Sequence, residues 1–165
     1  MANVLIAYVT KTGSTEKAAR LIASRLEENG YYTTVLPIDK AGDLETYDDV
    51  IIGGPINGMS WHQDAAAFVT ANAEKLKSRN VSFFCLSYIY KTGSAFWRKQ
   101  ISKAFNASSA IVKPEMTGIF GGVIENPMPA PIRFIFGTKK DAPADQQDDG
   151  AVLEWAEKWI EAGRS

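Results

Sequence analysis

Apolar residues in this chain fall into short continuous runs that alternate with stretches of helical spacing. Val4-Leu5-Ile6-Ala7-Tyr8-Val9 is almost unbroken, the pattern of a strand buried on both faces. Behind it, Ala19, Ile22 and Leu26 recur at helical intervals and the pattern stops at Gly30. Tyr31 to Leu36, rich in β-branched and aromatic residues and closed by Pro37, predicts a second strand. Asp49-Val50-Ile51-Ile52-Gly53 predicts a third, which breaks into the turn-rich Gly54-Pro55-Ile56-Asn57-Gly58. Helical spacing resumes at Ala65, Phe68, Val69 and Leu76. A fourth strand is expected over Val81 to Ser87, followed by a helix with Trp97, Ile101 and Phe105 on one face. A fifth runs from about Met116 to Gly121, and Val152, Trp155, Ala156, Trp159 and Ile160 share a face of the last helix.

Strand and helix in strict alternation mean right-handed crossovers and a parallel sheet covered on both sides, an α/β doubly wound fold. The expectation is a single domain over residues 1–165, with no internal repeat. One stretch exceeds an ordinary connection: an insertion at about 125–149, before the last helix. Its first part, Asn126 to Gly137, is unusually apolar for a loop, and its second, Asp141 to Asp149, is acidic.

Composition narrows the function classes. With 165 residues and 45% hydrophobic content the chain can bury a substantial core. A formal net charge of −1 argues against sequence-independent nucleic-acid binding, which needs a basic footprint. The lone cysteine, Cys85, lies in an apolar run and reads as an inert core thiol. No run is long enough to predict a transmembrane helix, and the first residues lack a signal-peptide layout, so a cytoplasmic location is expected. With one histidine, His62, a histidine metal cluster is excluded, and no metal site is expected.

The candidate chemistry lies between the first strand and the first helix, at Thr10-Lys11-Thr12-Gly13-Ser14-Thr15. A glycine-centred, hydroxyl-rich turn at that place gathers backbone N–H groups and the positive end of a helix dipole, which suits a phosphate dianion. The simpler alternative is that Thr12 or Ser14 only caps the helix. The loop lacks the second glycine-lysine pair of a nucleoside-triphosphate loop and the G-x-G-x-x-G of a dinucleotide site. It resembles the T-x-T-G-x-T phosphate loop of the flavodoxin family, matched at Thr10, Thr12, Gly13 and Thr15. That resemblance implies FMN as cofactor and a flavodoxin-like five-stranded sheet of order 2-1-3-4-5.

In such a sheet ligands sit beyond the carboxyl ends of the strands. The loops after the third and fourth strands would then hold the flavin ring. In the first of these, Pro55, Ile56, Asn57 and Gly58 would approach the ring and Trp61 would cover a face. In the second, Ser87, Tyr88, Tyr90, Lys91 and Gly93 offer stacking faces and main-chain contacts. Each loop taken singly also reads as an ordinary turn with surface aromatics. Val50-Ile51-Ile52-Gly53, Pro55-Ile56, Trp61-His62, Phe68-Val69 and Glu154-Trp155 together look like the flavodoxin-like menaquinone-dependent protoporphyrinogen oxidases and their relatives, which share an insertion after the fifth strand. Here the insertion is less basic than in that group, so the broader flavodoxin-domain group is the expectation. The function expected is an FMN-binding oxidoreductase or electron-transfer flavoprotein that serves a redox partner or a quinone acceptor. A cofactor-free flavodoxin-fold binding or regulatory module is the alternative. Met128, Ile132, Phe134, Ile135 and Phe136 of the insertion either cover the flavin edge, line an apolar substrate site or pack on the core. Arg133, Lys139 and Lys140 beside them would meet an anionic substrate group or a membrane surface.

Overall fold

The computed structural model describes residues 2–164. In chain order its elements are β1 (Asn3–Tyr8), α1 (Ser14–Glu28), β2 (Tyr32–Pro37), a 3-10 turn (Ile38–Lys40), β3 (Asp49–Asn57) and β4 (Ser60–Trp61). There follow α2 (Gln63–Ala71), α3 (Ala73–Lys77), β5 (Asn80–Ser87), α4 (Tyr88–Thr92), α5 (Ala95–Ile101) and α6 (Asn106–Ile111). The chain continues through β6 (Met116–Gly121) and α7 (Ala130–Phe136) to α8 (Asp149–Gly163).

The long strands are parallel in the order β2-β1-β3-β5-β6, with β4 attached to β3 alone. Without that short strand the order is the 2-1-3-4-5 expected from sequence. β1 sits between two parallel partners, with Val4 opposite Thr33 on one side and Asp49 on the other. Its side chains alternate between two cores. Val4, Ile6 and Tyr8 join Ala19, Ile22 and Leu26 of α1 and Trp155 and Trp159 of α8. Leu5 and Ala7 join Val50, Ile52, Ala65, Val69, Leu76, Phe83 and Phe105 on the opposite face. Period-two alternation therefore feeds both layers, which is why β1 reads as continuously apolar. Each large apolar side chain buried this way stabilises the fold by about 1.5–3 kcal/mol relative to leaving it exposed. The buried indoles are also hydrogen-bonded: Trp159 Nε1 donates to Ser82 Oγ at 3.0 Å and Trp155 Nε1 to the Thr117 carbonyl at 3.0 Å.

The structure departs from the sequence reading in several places, among them the helix read through Trp97, Ile101 and Phe105, which ends at Ile101. The third strand does not break at Gly54. It runs on to Asn57 and folds back as a hairpin, with Ile56 opposite Trp61 and Asn57 opposite Ser60. The turn has two residues, Gly58 (φ 58°) and Met59 (φ 70°). Positive φ at both central positions is the turn geometry that matches strand twist, and it carries the ladder further than the glycines suggested. The helical stretch read through Leu76 is divided at Asn72, whose side chain donates to the Phe68 carbonyl at 2.9 Å. The apolar part of the insertion is not a loop. It forms α7, with proline in its first turn and a left-handed Gly137 closing it.

The insertion then returns beside its own start. The Gln146 amide donates to the Gly122 carbonyl at 3.0 Å, and the Ile124 amide to Ala144 at 3.1 Å. This strap crosses the end of β6 so closely that a Cβ at Gly121 would lie 1.8 Å from the Gln146 carbonyl oxygen. Gly121→Ala must push the strap outward. It is expected to cost about 1–3 kcal/mol in urea unfolding, as overpacking does.

Candidate functional site

Four connections meet at the carboxyl edge of the sheet, after β1, β3, β5 and β6, and enclose a cleft of about 380 Å³. The first is the loop before α1. Thr10 Oγ1 accepts from the Gly13 amide at 2.9 Å and closes the turn, with Gly13 at φ 89°. The helix starts at Ser14 without a side-chain cap, so the capping role open to Thr12 and Ser14 is not the one they take. Their hydroxyls bond each other at 2.9 Å. Thr15 is fully buried and its Oγ1 has no hydrogen-bond partner. Lys11, Thr12 and Ser14 line the cleft. First-turn amides without a side-chain acceptor and the Thr12 and Ser14 hydroxyls therefore meet at the cleft, with the orphaned Thr15 hydroxyl buried behind its lining. Such a cluster is completed by an anion with several acceptor oxygens.

The second wall is the β3–β4 hairpin, which contributes Pro55, Ile56, Gly58 and Met59. Asn57 is exposed beside the turn. Trp61 is elsewhere, buried in the core with its ring 4.9 Å from Phe83 and 5.2 Å from Phe105. Its Nε1 donates to the Phe84 carbonyl at 3.2 Å. Hairpin pairing with Ile56 turns this side chain under the sheet, so it supports the second wall from behind.

The third wall follows β5. Ser87, Tyr88 and Ile89 line the cleft. Ser87 Oγ accepts from the Tyr90 amide at 3.2 Å and starts α4, where sequence suggested a loop. Tyr88 is 8% exposed, donates to the Ala142 carbonyl at 3.4 Å, and has its phenol pKa raised by burial. Tyr90, Lys91 and Gly93 lie outside the cleft lining. Lys91 Nζ donates to Asp148 Oδ2 at 2.7 Å, tying α4 to the start of α8. Gly93 lets α4 and α7 meet, since a Cβ there would lie 2.7 Å from the Ile89 oxygen and 3.2 Å from that of Phe136.

Of the fourth wall, the stretch directly after β6 was not foreseen from the residues, whereas Met128 and Phe136 were among the insertion residues weighed as cover for the flavin edge. Gly122, Val123, Ile124, Glu125 and Asn126 follow β6 into the cleft, joined by Met128 and Phe136 of the insertion. The available signal was Gly121-Gly122 at a strand end, which repeats the Gly53-Gly54 pair at the third strand. A larger hollow of about 940 Å³ opens at the opposite, amino edge of the sheet beside Asp49, Asn80 and Trp159. The carboxyl-edge cleft is the candidate because it lies at the switch in strand order and holds the uncapped, hydroxyl-rich turn before α1.

The remaining candidates have structural roles. His62 Nδ1 accepts from the Asp64 amide at 3.1 Å and caps α2. Cys85 is fully buried, which pushes its thiol pKa up and keeps it protonated.

A doubly wound sheet with a phosphate-type turn after its first strand defines a flavodoxin-class protein, and the comparisons agree. Residues 5–129 match the model of the flavodoxin domain family, and the chain belongs to that family. It is similar to the protoporphyrinogen IX dehydrogenase [quinone] of Escherichia coli (strain K12), 30% identical over 87 residues. That match takes in 52% of this chain and 48% of that protein, so the chain spans about half the length of the curated relatives it matches. Among solved structures, the TIGR4 flavodoxin of Streptococcus pneumonia superposes with a TM-score of 0.65 at 15% identity, covering 99% of this chain and 100% of that one. The Fusobacterium nucleatum flavodoxin bound to flavin mononucleotide gives 0.54 at 15% identity, with 98% of each chain covered. These two likenesses establish the fold.

Asp148 holds the third wall and the last helix together. Its Oδ1 accepts from the Ala151 amide at 3.0 Å while Oδ2 accepts from Lys91. The Lys91 hydrogen bond, followed by the Ala151 amide, lowers its pKa below the ordinary carboxylate value. A lowered folded pKa adds stability that is complete above the unfolded value and disappears as pH falls through the folded one. Asp148→Ala is expected to cost about 1 kcal/mol at neutral pH, as loss of a helix cap does. The gap between variant and wild type should close below about pH 4 when urea unfolding is followed against pH.

Proposed function

We propose that this protein is an FMN-dependent oxidoreductase that delivers electrons to a quinone-type acceptor. The observation that carries the reading is the uncapped start of α1, where the buried Thr15 Oγ1 stands without a partner. A hydroxyl with no acceptor in the folded chain costs free energy unless a ligand completes it. The FMN phosphate is a dianion with three acceptor oxygens, and the residues present fit it. Thr12, Ser14 and the first-turn amides of α1 would hold that group, with Lys11 at the rim and the unpartnered Thr15 hydroxyl reaching it from behind the lining.

FMN, when bound, supplies one- and two-electron redox chemistry. The chain's contribution is position and exclusion of water. Pro55, Ile56 and Met59 on one side and Tyr88, Ile89 and Ile124 on the other form a mostly apolar slot suited to a planar ring. Met128 and Phe136 narrow the same cleft from the insertion, giving an apolar approach for a lipid-like acceptor. The quinone class, and a porphyrinogen-type reductant as electron source, are carried over from the name of the Escherichia coli relative. Quinone reduction consumes two electrons and two protons, and solvent at the cleft mouth supplies the protons.

Purified protein is expected to carry flavin absorbance bands or to gain them on adding FMN. Titration should place FMN well ahead of riboflavin, which lacks the phosphate, and ahead of FAD, whose pyrophosphate exceeds a single-phosphate turn. Equal affinity for riboflavin and FMN would overturn the phosphate assignment.

Thr15→Val gives a sharper result. It removes an unsatisfied buried hydroxyl and keeps the shape, so the flavin-free protein should unfold at the same urea concentration as wild type or higher. FMN affinity should fall about tenfold to a hundredfold, the loss of a hydrogen bond to a charged group. Lowered stability with unchanged FMN affinity would return Thr15 to a purely structural role.

A further inference from the structure

Of the large apolar side chains exposed among the described residues, Ile132, Phe134 and Ile135 lie on α7 and Phe96 on α5. Phe134 is 89% exposed, Phe96 60% and Ile135 59%. They form one surface because the two helices are joined through Trp97. Its Nε1 donates to the Ile135 carbonyl at 2.7 Å, and its ring lies 4.9 Å from Phe136 and 5.0 Å from Phe96. The Ser94 amide adds a 2.9 Å bond to the Phe136 carbonyl. The exposed rings are therefore held outward on a fixed platform.

The charge around this platform is mainly positive, although Glu125 and Asp141 flank the second stretch and Glu125 shares a hollow with Arg133, Lys139 and Lys140. Residues 95–103 contain Arg98, Lys99 and Lys103, and residues 126–140 contain Arg133, Lys139 and Lys140, with no aspartate or glutamate in either stretch. No carboxylate pairs with these six cations among the described residues. Arg98 and Arg133 instead donate to the carbonyls of Gly93 and Met128. The whole chain has a formal net charge of −1, so this face is a basic and apolar island on a slightly acidic protein. Apolar side chains ringed by unpaired cations complement an anionic lipid surface, where rings enter the interface and cations meet headgroups. No helix among the described residues is long and apolar enough to cross a membrane, so the contact would be interfacial.

The geometry points to the α5–α7 face as a docking surface for an anionic bilayer, seated by Phe134, Ile135 and Phe96. This deepens the reading of a quinone-type acceptor and rests on it for purpose, though not for the binding itself. Phe136 and Met128 face the cleft from the same insertion that presents Phe134 and Ile135 outward. A lipid-dissolved acceptor could thus pass from the bilayer to the cleft along one short segment.

The test is sedimentation with phosphatidylcholine vesicles prepared with and without phosphatidylglycerol. Wild type should bind the anionic vesicles, bind the neutral ones much less, and be released by high salt. Phe134→Ser with Ile135→Ser should lower the partition about tenfold or more, since both side chains bury apolar area at the interface. Lys139→Ser with Lys140→Ser should lower it comparably on anionic vesicles alone, two cations near the surface being removed. All four positions are exposed, and an unchanged urea midpoint and FMN affinity would verify that the variants are folded. Turnover should be retained with a water-soluble quinone and lost with a vesicle-embedded one. Absence of wild-type binding to anionic vesicles at low salt would overturn the proposal, as would binding indifferent to Phe134→Ser with Ile135→Ser. Self-association abolished by that variant, without vesicle binding, would make the face an interface between copies and also overturn it. Vesicle binding is read without flavin, so failure of the FMN reading and failure of this one are separate results.

Discussion

The site depends on one constraint: a strand buried on both faces must hand the chain directly to a helix. β1 has parallel partners on both sides and core on both faces, so its direction is fixed before the chain leaves the sheet. α1 is fixed in turn by Ala19, Ile22 and Leu26 against that sheet. The six residues between Val9 and Glu16 must then reverse direction within a few ångströms. They do so with a left-handed glycine and a hydroxyl bonded to a backbone amide. The outcome is a helix terminus held rigidly at the sheet edge with its positive end unblocked. Rigid placement of that kind is what makes a backbone turn a binding site rather than a flexible loop.

The other walls are assembled in different ways, and this governs how far sequence could reveal them. The strands and the phosphate-type turn were legible because they rest on local pattern: continuous apolar runs, and hydroxyls clustered around Gly13. Trp61 misled, because a lone indole after a strand cannot announce which side it takes. The hairpin decides that, and the hairpin depends on Gly58 and Met59 both adopting positive φ, which methionine does not advertise. Tyr90 and Lys91 misled for a related reason. The short helix α4, started by Ser87, leaves both outside the cleft lining and gives Lys91 to Asp148, 57 positions further on.

The wall after β6 was the least visible. Gly122 to Asn126 have no composition that speaks of a ligand, and they reach the cleft because the returning strap pins them from outside. The apolar residues of the insertion were legible as an anomaly, though not in their division of labour. Met128 and Phe136 face the cleft while Phe134 and Ile135 face solvent. Met128 precedes α7, while the split between Phe136 and the pair Phe134 and Ile135 falls within that helix, which is too short for periodicity to register.

The final helix has a bearing on how the chain is made. α8 covers α1 and the face of the sheet that carries Ile6, Phe84 and Phe120, and Lys17 pairs with Asp149 across the seam at 3.3 Å. During synthesis the first half of the chain therefore emerges with an apolar face whose cover, α8, is made only after β6 and the insertion. Until then Ala19 and Ile22 and the sheet beneath are exposed to any other sticky surface in reach. The phosphate-type turn belongs to that early half, so a ligand captured there would tether β1 to α1 while the cover is still being translated. Abundance of the mature protein would then respond to flavin supply during growth as well as to the intrinsic stability of the finished fold.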